Sequence, residues 1–259
     1  MHRSRGKGFQ RGEGFRRRRR DSDAPDRMKN KASQILVTMI QEHGGECSKR
    51  NPECPPLTPC GLCDSMNRDT LVAMSRMEGA RLTIDLGIAL CAGSRRAPYE
   101  PYAEAGFTLY QQGELSEEKR LHDVFNRAFR DGYRTAVVIG HGVPNLPQDY
   151  VSKAFFHLQN GSSFVIGPLS NGSFYLLGMR RKTFQDAPAE LFSHLQSRRD
   201  LATYIRKGFF RRKNCAVLPE WYRINSIGDL NKLYTDCQEG RGYRAPWTRH
   251  VSLRVRGAL

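Results

Sequence analysis

"VVIGHGVPNLPQDYVSKAFFHLQNGSSFVIGPLSNGSFYLLGMR", Val137–Arg180, carries the period changes that decide the fold. It begins inside an apolar run, "TAVVIG", of strand length. Pro147 then opens a segment in which Val151, Ala154, Phe155 and Leu158 recur at helical spacing. "SFVIG" and "SFYLLGM" follow as two further strands, separated by the turn-rich "PLSNG". A strand, a helix and two strands in this order belong to an α/β sheet.

Upstream, "QILVTMI", Gln34–Ile40, is a short apolar run of the kind a buried parallel strand uses. A helix is predicted from about Asp64, with Asp64 or Ser65 as cap and Leu71, Met74 and Met77 along one side. In "RLTIDLGIAL", Leu82, Ile84, Leu86, Ile88 and Leu90 alternate onto one face of a strand, which leaves Asp85 on the minority face toward solvent. Residues 92–110 read as irregular and rich in Pro and Tyr. Leu121, Val124, Phe125, Ala128 and Phe129 mark a helix over Glu117–Arg130, ended by Gly132. Downstream, helical stretches are expected around Ala189–Leu195 and Asp200–Lys207, and a strand at "NCAVLP". Ser226 with Asp229 forms a capping box for a helix through Tyr234. The fold class is therefore α/β, an open, mostly parallel doubly wound sheet with ligand chemistry at the carboxyl ends of its strands.

The 259-residue chain is 39% hydrophobic and carries a formal charge of +16. It is long enough for a core without covalent staples. No transmembrane run or signal-peptide core is visible, so a soluble, cytoplasmic protein with no membrane partner is expected. Residues 1–31 hold nine Arg and three Lys against one Glu and three Asp, which is +8, half the total. This segment includes Arg16, Arg17, Arg18, Arg19 and Arg20 and has little to bury, so it reads as a disordered basic tail. Five consecutive guanidiniums repel one another without an acidic partner, which points to RNA, a ribonucleoprotein or another polyanion, with Phe9 and Phe15 available for stacking. Against this stand a solvated tail that only aids solubility and an organelle presequence, the latter disfavoured by four acids and little Ser.

The opening stretch also resembles a bacterial family of GT-A-like nucleotide-diphospho-sugar transferases related to the phospholactate guanylyltransferases. The family's approximate pattern is VVIGSDCPDL, LGPAxDGGYYLIGL and DVDTPEDL. The chain has "VVIGHGVPNL" at Val137–Leu146, "IGPLSNGSFYLLGM" at Ile166–Met179 and "RINSIGDL" at Arg223–Leu230. "RDTL" at Arg68–Leu71, read as a helix cap, and "QQGEL" at Gln111–Leu115 are similar to family segments too. The resemblance implies a GT-A-like domain over residues 32–240, with a Cys-rich insertion at 43–64 and a basic extension at 241–259. It also implies divalent-metal chemistry on a nucleotide diphosphate, which needs hard oxygen ligands. Matched residue by residue, the acid after the central strand is Gly142, beside His141. The acid of the DGG turn is Asn171, and the two acids of the DVD segment are Arg223 and Asn225. No Mg²⁺ or Mn²⁺ is expected at such a site. The family's phosphate-contacting Lys-Thr-Arg-Leu loop is replaced as well, leaving Lys49, Arg50, Gln112 and Glu114 as weak phosphate or nucleotide contacts.

In place of that loop, Cys47, Cys54, Cys60 and Cys63 follow C-x6-C-x5-C-x2-C spacing. Four thiolates within seventeen residues can converge on a structural Zn²⁺ or carry an iron-sulfur cluster. The bland alternative is ordinary thiols or two disulfides. Cys91, Cys215 and Cys237 are scattered and read as simple thiols. His141 is open to two roles, a general base or metal contact and a polar filler of the space a metal would take. "RKGFFRRKNC", Arg206–Cys215, interleaves bases with aromatics as nucleic-acid binders do, or it is a solvated helix end anchored by Phe209 and Phe210. Two functions follow. One is a catalytically degenerate transferase domain that binds RNA or a ribonucleoprotein and is stiffened by a Cys₄ metal. The other is an active, metal-independent glycosyl- or nucleotidyltransferase in which basic side chains neutralise phosphates.

Overall fold

The computed structural model describes residues 32–40, 61–79, 83–113, 115–170, 172–187, 191–192 and 214–257. The basic tail, Cys47, Cys54, Cys60, Lys49, Arg50, Glu114, Asn171 and residues 206–213 lie outside them. So do the two helices expected around 189–207, apart from Leu191 and Phe192, which are helical and buried.

Seven strands form one sheet: β1 (Gln34–Ile40), β2 (Asp85–Leu90), β3 (Thr108–Gln111), β4 (Thr135–Ile139), β5 (Phe164–Pro168), β6 (Phe174–Arg180) and β7 (Cys215–Val217). Their order is β3-β2-β1-β4-β6-β5-β7. β6 runs antiparallel to β4 and β5, and every other pair is parallel. The described helices are α1 (Leu62–Ser75), α2 (Glu100–Glu104), α3 (Glu117–Arg130), α4 (Gln148–Gln159), α5 (Arg181–Gln185), α6 (Ile227–Gln238) and α7 (Pro246–Gly257).

Both sheet faces are covered, which explains the nearly continuous apolar runs of the central strands β1 and β4. On one face Leu36, Ile40, Ile88, Val137 and Tyr175 pack against Leu71 and Met74 of α1 and Val151, Phe155 and Leu158 of α4. On the other, Ile35, Val37, Ala136, Val138 and Leu177 meet Leu121, Val124, Phe125 and Phe129 of α3. A third cluster joins Leu62 and Met66 of α1 to Tyr222, Ile224, Leu230, Leu233 and Ala245.

Several local expectations differ from what forms. Asp85 does not face open solvent. α3 covers that side of β2, and the Tyr133 hydroxyl donates to Asp85 Oδ2 at 2.8 Å. Residues 92–110 are not irregular: a 3-10 turn at Ala97–Tyr99, α2 and β3 lie there, with Pro98 and Pro101 at first-turn positions where the missing N–H costs nothing. α1 begins at Leu62 after Gly61, so Asp64 sits in its first turn instead of capping it. "RDTL" lies mid-helix and caps a different helix. Buried Asp69 accepts from Thr248 N at 2.7 Å, Thr248 Oγ1 at 2.6 Å and Trp247 N at 3.4 Å, closing the amino end of α7. The basic C-terminal extension is thus structured, with α7 packed on α1. The Ser226–Asp229 capping box is present as read, and its helix runs four residues further, to Gln238. No described helix is long and apolar enough to cross a membrane.

Candidate functional site at the carboxyl ends of β1 and β4

The chain moves outward from β1 to β2 and β3, then returns to β4 on the other side of β1. The connections therefore diverge above the carboxyl ends of β1 and β4 and leave a crevice, the usual ligand position in an open α/β sheet.

β4 delivers Gly140, His141 and Gly142 to this crevice. The Gly140 N–H is donated to the Tyr175 carbonyl at 2.9 Å, and the Gly142 carbonyl accepts from Ile224 N at 2.9 Å. Gly142 has φ 74, a left-handed conformation that a side chain there would strain. The space beside it is also filled: a Cβ at position 142 would stand 2.9 Å from Arg223 Cγ, and one at 140 would stand 3.4 Å from Arg223 Nη2. Arg223 lies along this glycine backbone with Nη2 3.5 Å from the Phe174 carbonyl on β6. Gly142 and the guanidinium at 223 are thus one arrangement, because the Arg223 stem occupies the room a side chain at 142 would need.

The support beneath Arg223 was not legible as a site. Buried Asn145 donates from Nδ2 to the Tyr222 hydroxyl at 2.6 Å and accepts from Trp221 Nε1 at 3.4 Å. Its carbonyl accepts from Tyr243 N at 3.1 Å, and Gly242 is obligatory there because a Cβ would lie 2.0 Å from that oxygen. Burial raises the Tyr222 phenol well above its ordinary pKa, so it stays a neutral donor. A single Asn among apolar residues in "GVPNL" was the available signal.

At the β1 side, Arg120 of α3 donates from Nη2 to the Ile40 carbonyl at 3.3 Å and from Nε to Gln112 Oε1 at 3.1 Å. Gln112 returns its Nε2 to the Arg120 carbonyl at 2.8 Å. Gln112, read as a phosphate contact, is buried and engaged in holding Arg120; Arg120 is the cation that sequence reading missed. Adjacent strands therefore each end beside a guanidinium, Arg120 at β1 and Arg223 at β4.

Of the other expected residues, His141 is half-buried on the β4 loop. Asn225 is exposed, and its backbone N–H is donated to Asp229 at 2.9 Å within the capping box. Cys63 is half-buried at the start of α1 and packs against the cluster containing Tyr222 and Ile224. Burial pushes Cys215 up to about 12 and Cys237 up to about 11, consistent with inert thiols. Among the described residues no three His, Cys, Asp or Glu side chains converge on a metal position.

Comparison with solved structures aligns the chain with a candidate nucleotide-diphospho-sugar transferase from Desulfovibrio desulfuricans G20 at a TM-score of 0.65 and 24% identity, covering 87% of this chain and 98% of that one. The fold is that of the nucleotide-diphospho-sugar transferases. The transferase fold expected from the resemblance is therefore present, with its mostly parallel sheet. A cytidylyltransferase from Leptospira borgpetersenii aligns at a TM-score of 0.49 and 12% identity, over 86% of this chain and 95% of that one. A 4-diphosphocytidyl-2C-methyl-D-erythritol synthase from Anaerococcus prevotii aligns at 0.47 and 11%, over 80% and 97%. A family model described as an uncharacterized protein conserved in bacteria (DUF2064) matches residues 77–197. That match takes in β2 to β6 and stops before Arg223. No curated protein matches the chain.

Proposed function

We propose that this chain is a transferase-fold protein whose crevice meets phosphates with guanidiniums in place of a divalent cation, and that it acts as a binding protein. The observation that carries this reading is Arg223 lying along Gly140 and Gly142, where carboxylates would have to converge to hold Mg²⁺ or Mn²⁺. Arg120, bonded to the end of β1, gives the neighbouring strand a second cation. Asn171 and Asn225 extend the loss of acids in the sequence. A nucleoside diphosphate held this way is bound weakly and independently of metal, because charge-assisted contacts to half-buried Arg120 and Arg223 are still partly screened by water and salt.

In the same reading, the +8 N-terminal segment attaches the domain to RNA or a ribonucleoprotein. Cys47, Cys54, Cys60 and Cys63 hold a structural Zn²⁺ or an iron-sulfur cluster that orders the replaced loop. About one equivalent of zinc in protein purified under reducing conditions, released by Cys60→Ser with Cys63→Ser, supports the cysteine assignment; metal-free protein with four titrating thiols defeats it.

The same guanidiniums favour one second reading, a metal-independent glycosyl- or nucleotidyltransferase in which they stabilise phosphate charge. Calorimetric titration of GDP, UDP and CDP with Mn²⁺ and with EDTA, beside assays of sugar and nucleotidyl transfer, separates the outcomes. Weak, EDTA-insensitive binding without turnover is expected. Metal-independent turnover abolished by Arg223→Gln establishes the second reading, and Mn²⁺-dependent turnover overturns both.

A further inference from the structure

A cleft lies between the first half of α1 and the connection from β2 to β3. Its volume is about 410 Å³, within the range of small-molecule sites. Arg68 and Arg95 bring two guanidiniums to it and Asp64 one carboxylate, so the lining is net cationic but not uniformly so. Pro98 and Pro101, both lining residues, stiffen one wall by fixing φ where the chain turns into α2.

Arg68 is held for use. Its guanidinium carbon lies 4.3 Å from the centroid of the Trp247 ring, a stacked contact that limits its rotamers and lowers the entropy cost of accepting an anion. Trp247 is itself placed by Asp69, the next residue to Arg68, through the cap on α7. Two phenols face the same space. Asn67 Nδ2 lies 3.5 Å from the Tyr99 hydroxyl. Tyr102 packs edge-on to Phe107 at 5.5 Å, and burial raises its pKa against the opposing Arg68 charge, so it remains an O–H donor.

We propose that this cleft binds a hydroxylated, monosaccharide-sized phosphate monoester, its phosphoryl group met by Arg68 and Arg95 and its hydroxyls by Asp64, Asn67 and the tyrosines. The two guanidiniums provide forked donors suited to phosphoryl oxygens. The carboxylate and amide accept sugar hydroxyls, while Asp64 repels a continuous polyanion, which argues against a nucleic-acid strand here. Aromatic and proline surfaces suit the apolar face of a pyranose ring. The proposal does not rest on the reading of the β4 crevice, since its binding is measured directly.

The test uses the full chain and follows tryptophan fluorescence, because a ligand drawing on Arg68 perturbs Trp247. Glucose 1-phosphate is expected to give a saturable change, glucose none, and inorganic phosphate binding about tenfold weaker. Arg95→Gln, at an exposed loop position that leaves the Arg68–Trp247 stack in place, is expected to weaken glucose 1-phosphate about tenfold. Adding Arg68→Gln removes binding, and Trp247→Phe removes the signal. Unchanged affinity in Arg95→Gln, equal affinity for inorganic phosphate, a signal that persists in Trp247→Phe, or no saturable binding by calorimetry overturns the assignment.

Discussion

Asp69 accepts both the backbone N–H and the hydroxyl of Thr248, 179 residues later, at 2.7 and 2.6 Å. One helix thereby supplies from its middle the cap that another lacks in its own sequence. Removing the acceptor with Asp69→Ala leaves buried donors unsatisfied, and a loss of about 3 kcal/mol is expected in urea unfolding. Thr248→Val removes only the hydroxyl hydrogen bond and should cost about 1 kcal/mol.

The same carboxylate carries a pH signature. Desolvation raises the Asp69 pKa above its ordinary 3.8, even though Thr248 and Trp247 hydrogen bonds and the Arg68 charge pull it down. The folded state therefore takes a proton before the unfolded state does as pH falls. Asp69 by itself makes stability rise on acidification through the interval just above 3.8, and fall as pH rises through it. Comparing urea midpoints of wild type and Asp69→Asn across that interval isolates this slope. A steeper acid loss in wild type than in the variant contradicts it.

Gly142 and Arg223 should behave as one unit. Gly142→Ala introduces a Cβ at φ 74 and 2.9 Å from Arg223 Cγ, so a loss of about 1–3 kcal/mol is expected. Arg223→Ala relieves the steric clash but not the backbone strain, and a double-mutant cycle should show coupling of about 0.5–1 kcal/mol. The acidic pair Gly142→Asp with Arg223→Asp should bind Mn²⁺ more tightly than wild type, detectable calorimetrically.

Raised pKa values should make half-buried Cys215 and buried Cys237 slow to alkylate near neutral pH, read by mass spectrometry of iodoacetamide adducts. Their folded pKa values, about 12 and about 11, lie above the ordinary 9.0. Unfolded thiols therefore ionise first, and their contribution to stability, complete below 9.0, is lost as pH rises toward 11 and 12. Cys215→Ala should reduce that alkaline loss.

Replacing Arg16–Arg20 with Gln should weaken single-stranded RNA binding and flatten its dependence on log salt by about 0.7 for every phosphate no longer neutralised. Equal slopes before and after remove these residues from RNA recognition.

The layout of the sheet could be read along the chain because its signals are local. Val151, Ala154, Phe155 and Leu158 recur within a single helix, and Ser226 caps through a residue three positions away. Such periods and caps depend on backbone geometry shared by every helix and strand. β3 and α7 escaped because β3 is only four residues long, and α7 is capped by a distant aspartate. The resemblance matched Gly142 and Arg223 to acidic positions of the family pattern. Their contact was not legible, since only folding lays the Arg223 stem against Gly142 and sets Arg120 on the Ile40 carbonyl, 80 positions away. Linear order determined which residues form each element. The tertiary structure decided which charges face one another, because that depends on strand order and on side chains brought together across the whole chain.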